Sequence, residues 1–271
     1  MRKIKKKNKW TVLGSTSLAF ALILVGYGVF TTQFQFGSSR DAKVEYSPPQ
    51  VPSFRFQLDE VGPKMLKSDK YSIVVLGDST GNQPWEWVHV FAQKLGDSGR
   101  RVKLLDWSTE TSSYSTETMF GPKDAENEIE IWNGSVSGAP AVYSLENWNN
   151  MVPSTPDLYI INHGHNELDA FHAVDSIKKL VAKARPAGVA IIKQNPRTDD
   201  AAQRQETIVE SIEQSFANAS AGLIDVYSAF QAEPNISILL EENGFLPNST
   251  GHQIWAESVW NSIGLAHNMP E

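Results

Sequence analysis

The sequence predicts an α/β domain built on a mostly parallel β-sheet. Past Tyr71, short apolar runs rich in β-branched residues alternate with amphipathic stretches of helical periodicity. Strands that alternate with helices are typical of parallel sheets whose two faces are covered by helices. The body from Tyr71 onward holds roughly 200 residues, which is enough for one such domain with a sizeable core.

Six strands and five helices are predicted in this body. The strands are residues 72–76, 102–106, 129–132, 158–162, 189–193 and 223–226. The helices are residues 85–95, 142–151, 173–184, 201–217 and 250–265. Residues 106–123 are rich in Ser, Thr and Glu, and they are predicted to form a polar loop.

The N-terminus predicts a transmembrane anchor. Lysines and an arginine crowd residues 1–9, and residues 10–30 carry no charge. At ~1.5 Å rise per residue, about 20 residues span a hydrocarbon core of ~30 Å. The basic flank is expected to stay cytoplasmic, which places the body outside the cell membrane. A signal peptide is the alternative, although no clear small-x-small cleavage site follows.

Residues 31–70 are expected to form a linker, so that the folded domain spans 71–271. The segment includes the run Ser-Pro-Pro-Gln-Val-Pro from Ser47, which favours extended conformations.

Composition excludes several kinds of protein. The chain has no cysteine, which rules out disulfides and thiolate metal sites. Its net charge of -7 includes the basic N-terminus, so the body is more acidic still and a nucleic-acid partner is not expected. No set of His, Asp and Glu has a recognisable ligand spacing, and neither a metal nor another cofactor is expected.

Three short segments follow predicted strands at the edge where parallel sheets form their sites. Gly77-Asp78-Ser79 follows strand 72–76, which places the Ser79 hydroxyl on a strand-to-helix turn with backbone N–H groups beside it. Gly138 follows strand 129–132, and Asn166 follows strand 158–162. Glycine N–H and asparagine amide groups are uncharged donors suited to an oxyanion. Each segment also has a simpler explanation as a helix cap or a loop-forming residue.

Taken together, these segments resemble the SGNH hydrolases, also called the GDSL-like lipase/esterase family. Gly77-Asp78-Ser79 matches the first block, Gly138 the second, and Gly164-His165-Asn166-Glu167 the third, with Glu in place of Asp. The resemblance implies a three-layer, flavodoxin-like fold with Ser79 as the nucleophile. The Ser79 N–H, the Gly138 N–H and the Asn166 side chain would then form the oxyanion hole.

The fourth block departs from the family pattern, which resembles Asp-Gly-x-His-Pro-Asn-x-x-Gly-His. Residues 243–252 read Asn-Gly-Phe-Leu-Pro-Asn-Ser-Thr-Gly-His, which puts Asn243 at the Asp position and Leu246 at the position of the general-base His. Leucine cannot accept a proton, and a serine without a base is a poor nucleophile at neutral pH. His252 and His163 are the candidates for a substitute base.

Two functions follow as hypotheses. The first is an exported, membrane-anchored serine ester hydrolase that acts on O-acyl or O-acetyl esters of surface glycans or lipids. The second is a catalytically degenerate protein that keeps the fold and binds a glycan or a partner. A phosphate- or nucleotide-binding domain is disfavoured, because the turn from Gly77 to Gly81 lacks a P-loop lysine.

Overall fold

The computed structural model describes residues 56–266, which are organised around one seven-stranded sheet. Its strands are β1 (Lys70–Gly77), β2 (Arg101–Ser108), β3 (Ser113–Phe120), β4 (Glu128–Ser135), β5 (Leu158–Asn162), β6 (Gly188–Lys193) and β7 (Gly222–Asp225). Their order across the sheet is β3-β2-β4-β1-β5-β6-β7. All neighbouring strands are parallel except β2 and β3.

Helices cover both faces of this sheet. They are α1 (Val61–Lys67), α2 (Trp87–Asp97), α3 (Ala141–Glu146), α4 (Trp148–Met151), α5 (Ala170–Ala184), α6 (Ala202–Phe216), α7 (Val226–Gln231) and α8 (Ser249–Ser262). Short 3-10 turns occupy Leu58–Glu60 and Ile236–Leu239. The predicted three-layer α/β architecture with a mostly parallel sheet is therefore confirmed.

Strand β1 shows why the sequence predicts this fold well. Ile73 and Val75 are buried in the core that includes α2 and α8, whereas Val74 and Leu76 are buried in the core that includes α5 and α6. A strand buried on both faces has no polar face, so it reads as a continuous apolar run. All six predicted strands are present, with β7 ending one residue early at Asp225.

The prediction of a polar loop over residues 106–123 is wrong. Residues 113–120 of that segment form β3, which pairs antiparallel with β2 at the edge of the sheet, and residues 106–108 are the end of β2. An edge strand has only one neighbouring strand, and most residues of β3 are exposed. Its sequence therefore contains no apolar run that would predict a strand. The predicted helix 142–151 is also divided, because α3 ends before Asn147 and α4 follows it.

Part of the predicted linker belongs to the domain. The 3-10 turn and α1 lie within residues 58–67, and Val61 and Met65 are buried in the core. The Gly62 N–H also donates to the Ile263 carbonyl at 2.6 Å. Ordered structure thus begins before Tyr71. In the stretch from 56 to 266, no helix is long and apolar enough to cross a membrane, and the anchor predicted at residues 10–30 lies outside the described residues.

Candidate active site

The carboxyl end of β1 carries the Ser79 turn between two neighbouring strands. In the sheet register, Gly77 lies opposite Ser135 of β4 on one side and Asn162 of β5 on the other. The segments that continue from β1, β4 and β5 therefore emerge side by side. They carry Ser79, Gly138 and Asn166 respectively, so the fold brings the three predicted blocks to one edge of the sheet.

The turn that carries Ser79 is fixed by the side chain before it. Asp78 is fully buried, and its Oδ1 accepts hydrogen bonds from the Thr80 N–H at 3.1 Å and the Thr80 hydroxyl at 2.9 Å. A side chain at Gly77 would force its neighbours to shift, since a Cβ would lie 2.9 Å from the Ser135 hydroxyl oxygen. The Ser79 hydroxyl forms no hydrogen bond with any described residue. The fold holds the backbone of this turn and leaves the Ser79 hydroxyl unengaged.

The two side loops carry N–H groups suited to binding an oxyanion. Gly138 is exposed with φ +72°, a conformation that strains other residues, and a Cβ there would meet nothing within 4 Å. The Asn166 Nδ2 is buried and has no acceptor among residues 56–266. The Glu167 carboxylate accepts from the Ala141 N–H at 2.6 Å, which ties the third block to the start of α3, just after Gly138.

A buried polar network lies beneath these loops, and sequence reasoning missed it. Gln194 Nε2 donates to Asp78 Oδ2 at 2.9 Å and to Asn162 Oδ1 at 3.0 Å. Gln194 Oε1 accepts from the His165 N–H at 2.6 Å, and Asn162 Nδ2 donates to the Thr80 hydroxyl at 2.9 Å. Asn162 ends β5 and Gln194 follows β6. The sequence signal that could have predicted this network is a polar residue at the end of a buried apolar run.

The altered fourth block is a well-formed turn that holds no proton acceptor at position 246. Asn243 Oδ1 accepts from the Phe245 N–H at 3.0 Å and the Leu246 N–H at 2.9 Å. The Asn243 side chain is exposed and Leu246 is half-buried. The amide oxygen thus stabilises its own turn, which any Asx residue at this position can do.

The fourth block is docked on the loops after β5 and β6. The Thr198 N–H donates to the Gly244 carbonyl at 2.7 Å, and Asn195 Nδ2 donates to the Phe245 carbonyl at 3.0 Å. The Phe245 ring packs edge-on against His165 of the third block, with a centroid distance of 6.5 Å. The frame of the fourth block therefore reaches the same edge of the sheet as the third.

Neither proposed substitute base is hydrogen-bonded to Ser79. His163 is fully buried, and its Nε2 shares a hydrogen bond of 2.9 Å with the Ser144 hydroxyl. Burial lowers the pKa of His163 to about 4, against the opposing influence of Asp78. His252 is buried on α8, its Nδ1 has no partner among the described residues, and burial lowers its pKa to about 4 as well.

A carboxyl group that the sequence did not single out lies in the segment after Ser79. Glu86 is buried, and its Oε2 accepts from the Gln83 N–H at 2.7 Å. Burial raises the pKa of Glu86 to about 7, assisted by the charge of Asp78 and opposed by backbone hydrogen bonds from residues 82 and 83. This side chain therefore titrates near neutral pH, and it lies seven residues after Ser79 in the sequence.

Solved structures show which fold this is. The lipase/acylhydrolase from Enterococcus faecalis superposes with a TM-score of 0.57 at 16% identity, over 74% of this chain and 99% of that one. A mutant of an acetyl-xylooligosaccharide esterase from Geobacillus gives 0.53 at 16% identity, over 72% and 94%. A two-domain esterase active on acetylated mannans gives 0.56 at 13% identity, over 80% and 55%.

These structures establish the SGNH hydrolase fold, as the resemblance of the motifs predicted. At such identities they establish the fold alone, because one fold hosts many activities. No protein-family model matches the sequence, and no curated protein sequence does either.

Proposed function

From the SGNH hydrolase fold, we propose that this chain is a serine ester hydrolase that is exported and anchored in the cell membrane. Its substrates are O-acyl or O-acetyl esters of surface glycans or lipids. The structural neighbours include esterases whose described substrates are acetylated xylooligosaccharides and mannans, which supports a carbohydrate ester. The observation that carries the proposal is that two polar groups at this edge of the sheet have no partner within the described domain. They are the Ser79 hydroxyl and the Asn166 side-chain amide.

The reaction follows the two steps of acyl transfer. Ser79 Oγ forms a bond to the ester carbonyl carbon and loses its proton, and the carbonyl oxygen becomes an oxyanion. The Ser79 and Gly138 N–H groups and Asn166 Nδ2 bind that oxyanion. The alcohol leaves with a proton, and water then attacks the acyl-Ser79 ester and releases the carboxylic acid. Serine hydrolases whose base has been removed still catalyse the reaction through this stabilisation, but their kcat is several orders of magnitude lower.

This chain differs from the family pattern in the group that accepts the Ser79 proton. Leu246 cannot take the proton, and no imidazole of the described residues is hydrogen-bonded to Ser79. We propose that solvent hydroxide accepts this proton. Because the hydroxide concentration rises tenfold with each unit of pH, kcat/KM should then rise about tenfold per pH unit. If Glu86 were the base, the rate would instead level off above about pH 7, and if His163 or His252 were, above about pH 4.

The test is turnover of a chromogenic acetyl ester together with labelling by a fluorophosphonate. We expect slow turnover whose adduct maps to Ser79 and which Ser79→Ala abolishes. Ser137→Ala is the matched control, because Ser137 is an exposed serine beside Gly138 at the same edge of the sheet. Turnover that survives Ser79→Ala, or that Ser137→Ala removes equally, would refute the proposal.

A second function is favoured by the fourth block. With Leu246 at the base position and Asn243 engaged in its own turn, the fold is equally compatible with a protein that binds an acylated glycan without cleaving it. The distinguishing result is binding without turnover. A non-catalytic binder retains an acetylated oligosaccharide intact over days, and Ser79→Ala leaves its affinity unchanged.

Export and anchoring are proposed from the N-terminal sequence, in which a lysine-rich flank precedes the uncharged residues 10–30. Protease shaving of intact cells should remove the domain and leave a membrane-bound N-terminal fragment. A domain that is protected inside the cells, or a full-length chain free in the medium, would contradict this part of the proposal.

A further inference from the structure

A surface cavity of about 450 Å³ lies on the side of the sheet covered by α2 and α8. Its lining includes Pro84, His89, Gln93, Phe120 and Gln253. The volume falls within the roughly 300–1,000 Å³ of small-molecule sites. None of these residues belongs to the four sequence blocks, and the proposed hydrolysis does not use them.

The cavity contains an imidazole whose orientation is fixed. His89 Nε2 lies 3.2 and 3.1 Å from the two carboxylate oxygens of Asp106, and the ring packs edge-on against Phe120 at a centroid distance of 6.3 Å. A carboxylate that holds one ring nitrogen leaves the other as the hydrogen-bonding atom for a ligand. Nδ1 of His89 forms no hydrogen bond with the described residues.

The charges of the lining disfavour an anionic ligand. Lys94 is paired with Glu257 and lies 4.8 Å from the centre of the Trp260 ring. The Asp97 carboxylate accepts from Gln93 Nε2 at 2.7 Å. An anion would face the carboxylate of Asp97 without a free cation among the lining residues, whereas hydroxyl groups can pair with carboxylates and amides alike.

We propose that this cavity binds a neutral sugar unit and so forms a glycan subsite outside the four sequence blocks. His89, Gln93, Asp97 and Gln253 supply donors and acceptors for ring hydroxyls. Phe120 contributes an aromatic side chain to the lining, and aromatic rings are a surface on which sugar rings pack. The inference rests on the proposed function and deepens it, because it selects a glycan over a lipid as the bearer of the ester.

A chain of hydrogen bonds connects this cavity to the nucleophile turn. Asn133 Nδ2 donates to Asp106 Oδ1 at 2.8 Å and to the Gly81 carbonyl at 2.8 Å. Gly81 lies two residues after Ser79, and its N–H donates to the Asp78 carbonyl at 3.3 Å. His89 is therefore connected through three hydrogen bonds, by way of Asp106 and Asn133, to the turn that carries the serine.

The test is equilibrium binding of unsubstituted xylohexaose and mannohexaose to the full-length chain. We expect one of them to bind, and to bind equally to the parent and to Ser79→Ala. Gln253→Trp places an indole in the cavity and should weaken binding at least tenfold, about 1.4 kcal/mol. Gln203→Trp is the control, because Gln203 is an exposed glutamine on α6, away from this lining, and it should bind like the parent.

Three results are decisive for the subsite. Absence of binding of both oligosaccharides at millimolar concentration overturns it, and so does Gln253→Trp binding as tightly as Gln203→Trp. If Gln253→Trp weakens binding but the chain shows no turnover that depends on Ser79, the subsite is supported and the hydrolase is refuted. The failures of the two proposals can therefore be told apart.

Discussion

The fourth block offers the sharpest prediction, which is that the double variant Asn243→Asp, Leu246→His gains esterase activity. The turn that would carry such a relay is already formed. Its two N–H groups bind the Asn243 side-chain oxygen, and its backbone is docked on the loops after β5 and β6. The substitution therefore introduces a base and its orienting carboxylate into a frame that exists.

The expected magnitudes favour a folded and more active variant. In Asn243→Asp the new carboxylate can accept the same two hydrogen bonds, and bonds to a charged acceptor are worth about 1.5–3 kcal/mol rather than 0.5–1.5. Replacing the half-buried Leu246 sacrifices about 1 kcal/mol, which is half of the ~1.5–3 kcal/mol for a fully buried leucine. A domain stable by about 5–15 kcal/mol tolerates that loss. A general base contributes about 10²–10⁴-fold in rate, so even imperfect geometry should yield at least roughly tenfold.

The assay is kcat/KM for a chromogenic acetyl ester at pH 7.5, with circular dichroism to establish that the variant is folded. Leu246→His alone should gain less than the double variant, since no carboxylate then orients the imidazole. Adding Ser79→Ala to the double variant should abolish the gain. A folded double variant with no gain would refute the alignment of Leu246 with the base position, as would a gain that survives Ser79→Ala.

Three further predictions concern residues around the candidate site. Burial raises the pKa of Glu86 from 4.5 to about 7, so its stabilising contribution is complete below pH 4.5 and is lost as the pH rises through 7. Glu86→Gln should therefore raise the free energy of unfolding at pH 8 by roughly 1–3 kcal/mol while changing it little at pH 4.5, as measured by urea denaturation; an equal effect at both pH values would contradict this. Asn166→Ala should lower kcat by about 10²–10³-fold without lowering Tm, because its Nδ2 has no partner within the described domain; a matching loss of Tm would assign it a structural role instead. Gln194→Ala should cost at least roughly 2 kcal/mol in the same denaturation experiment, since Asp78 and Asn162 lose a buried donor; an unchanged midpoint would show that the network does not stabilise the fold.

The fold was predictable wherever burial leaves a periodic signature. Strand β1 is buried on both faces and α5 on one, so a continuous apolar run and a helical stripe identify them. Strand β3 carries neither signature, because its stability comes from pairing with β2 and from single contacts such as Tyr114 between Trp107 and Trp132. Such contacts join residues of different strands, so they follow from the pairing of the strands and not from the pattern within one of them.

The candidate site was predictable only as far as its motifs are contiguous. Gly77-Asp78-Ser79 can be read locally, and its position follows from the predicted strand before it. The partner of Asp78 could not be read in this way, since Gln194 lies 116 residues away and meets it only when β1 and β6 join one sheet. Glu86 was missed for a related reason, because its raised pKa comes from burial and not from a sequence pattern.

The fourth block departs from the family pattern while the first three keep their Ser, Gly and Asn, and this difference has a physical explanation. At the fourth block, Asn243 Oδ1 accepts two backbone N–H groups, as an aspartate oxygen can, so this turn forms without the residues of the family pattern. The Ser79 hydroxyl and Asn166 Nδ2 are different, because neither forms a bond that stabilises the described domain. A buried N–H donor without an acceptor costs about 1–3 kcal/mol, and a ligand oxygen between these groups removes that cost. The polar atoms at this edge of the sheet therefore favour a bound ligand oxygen, which in the proposed function is the carbonyl oxygen of the ester.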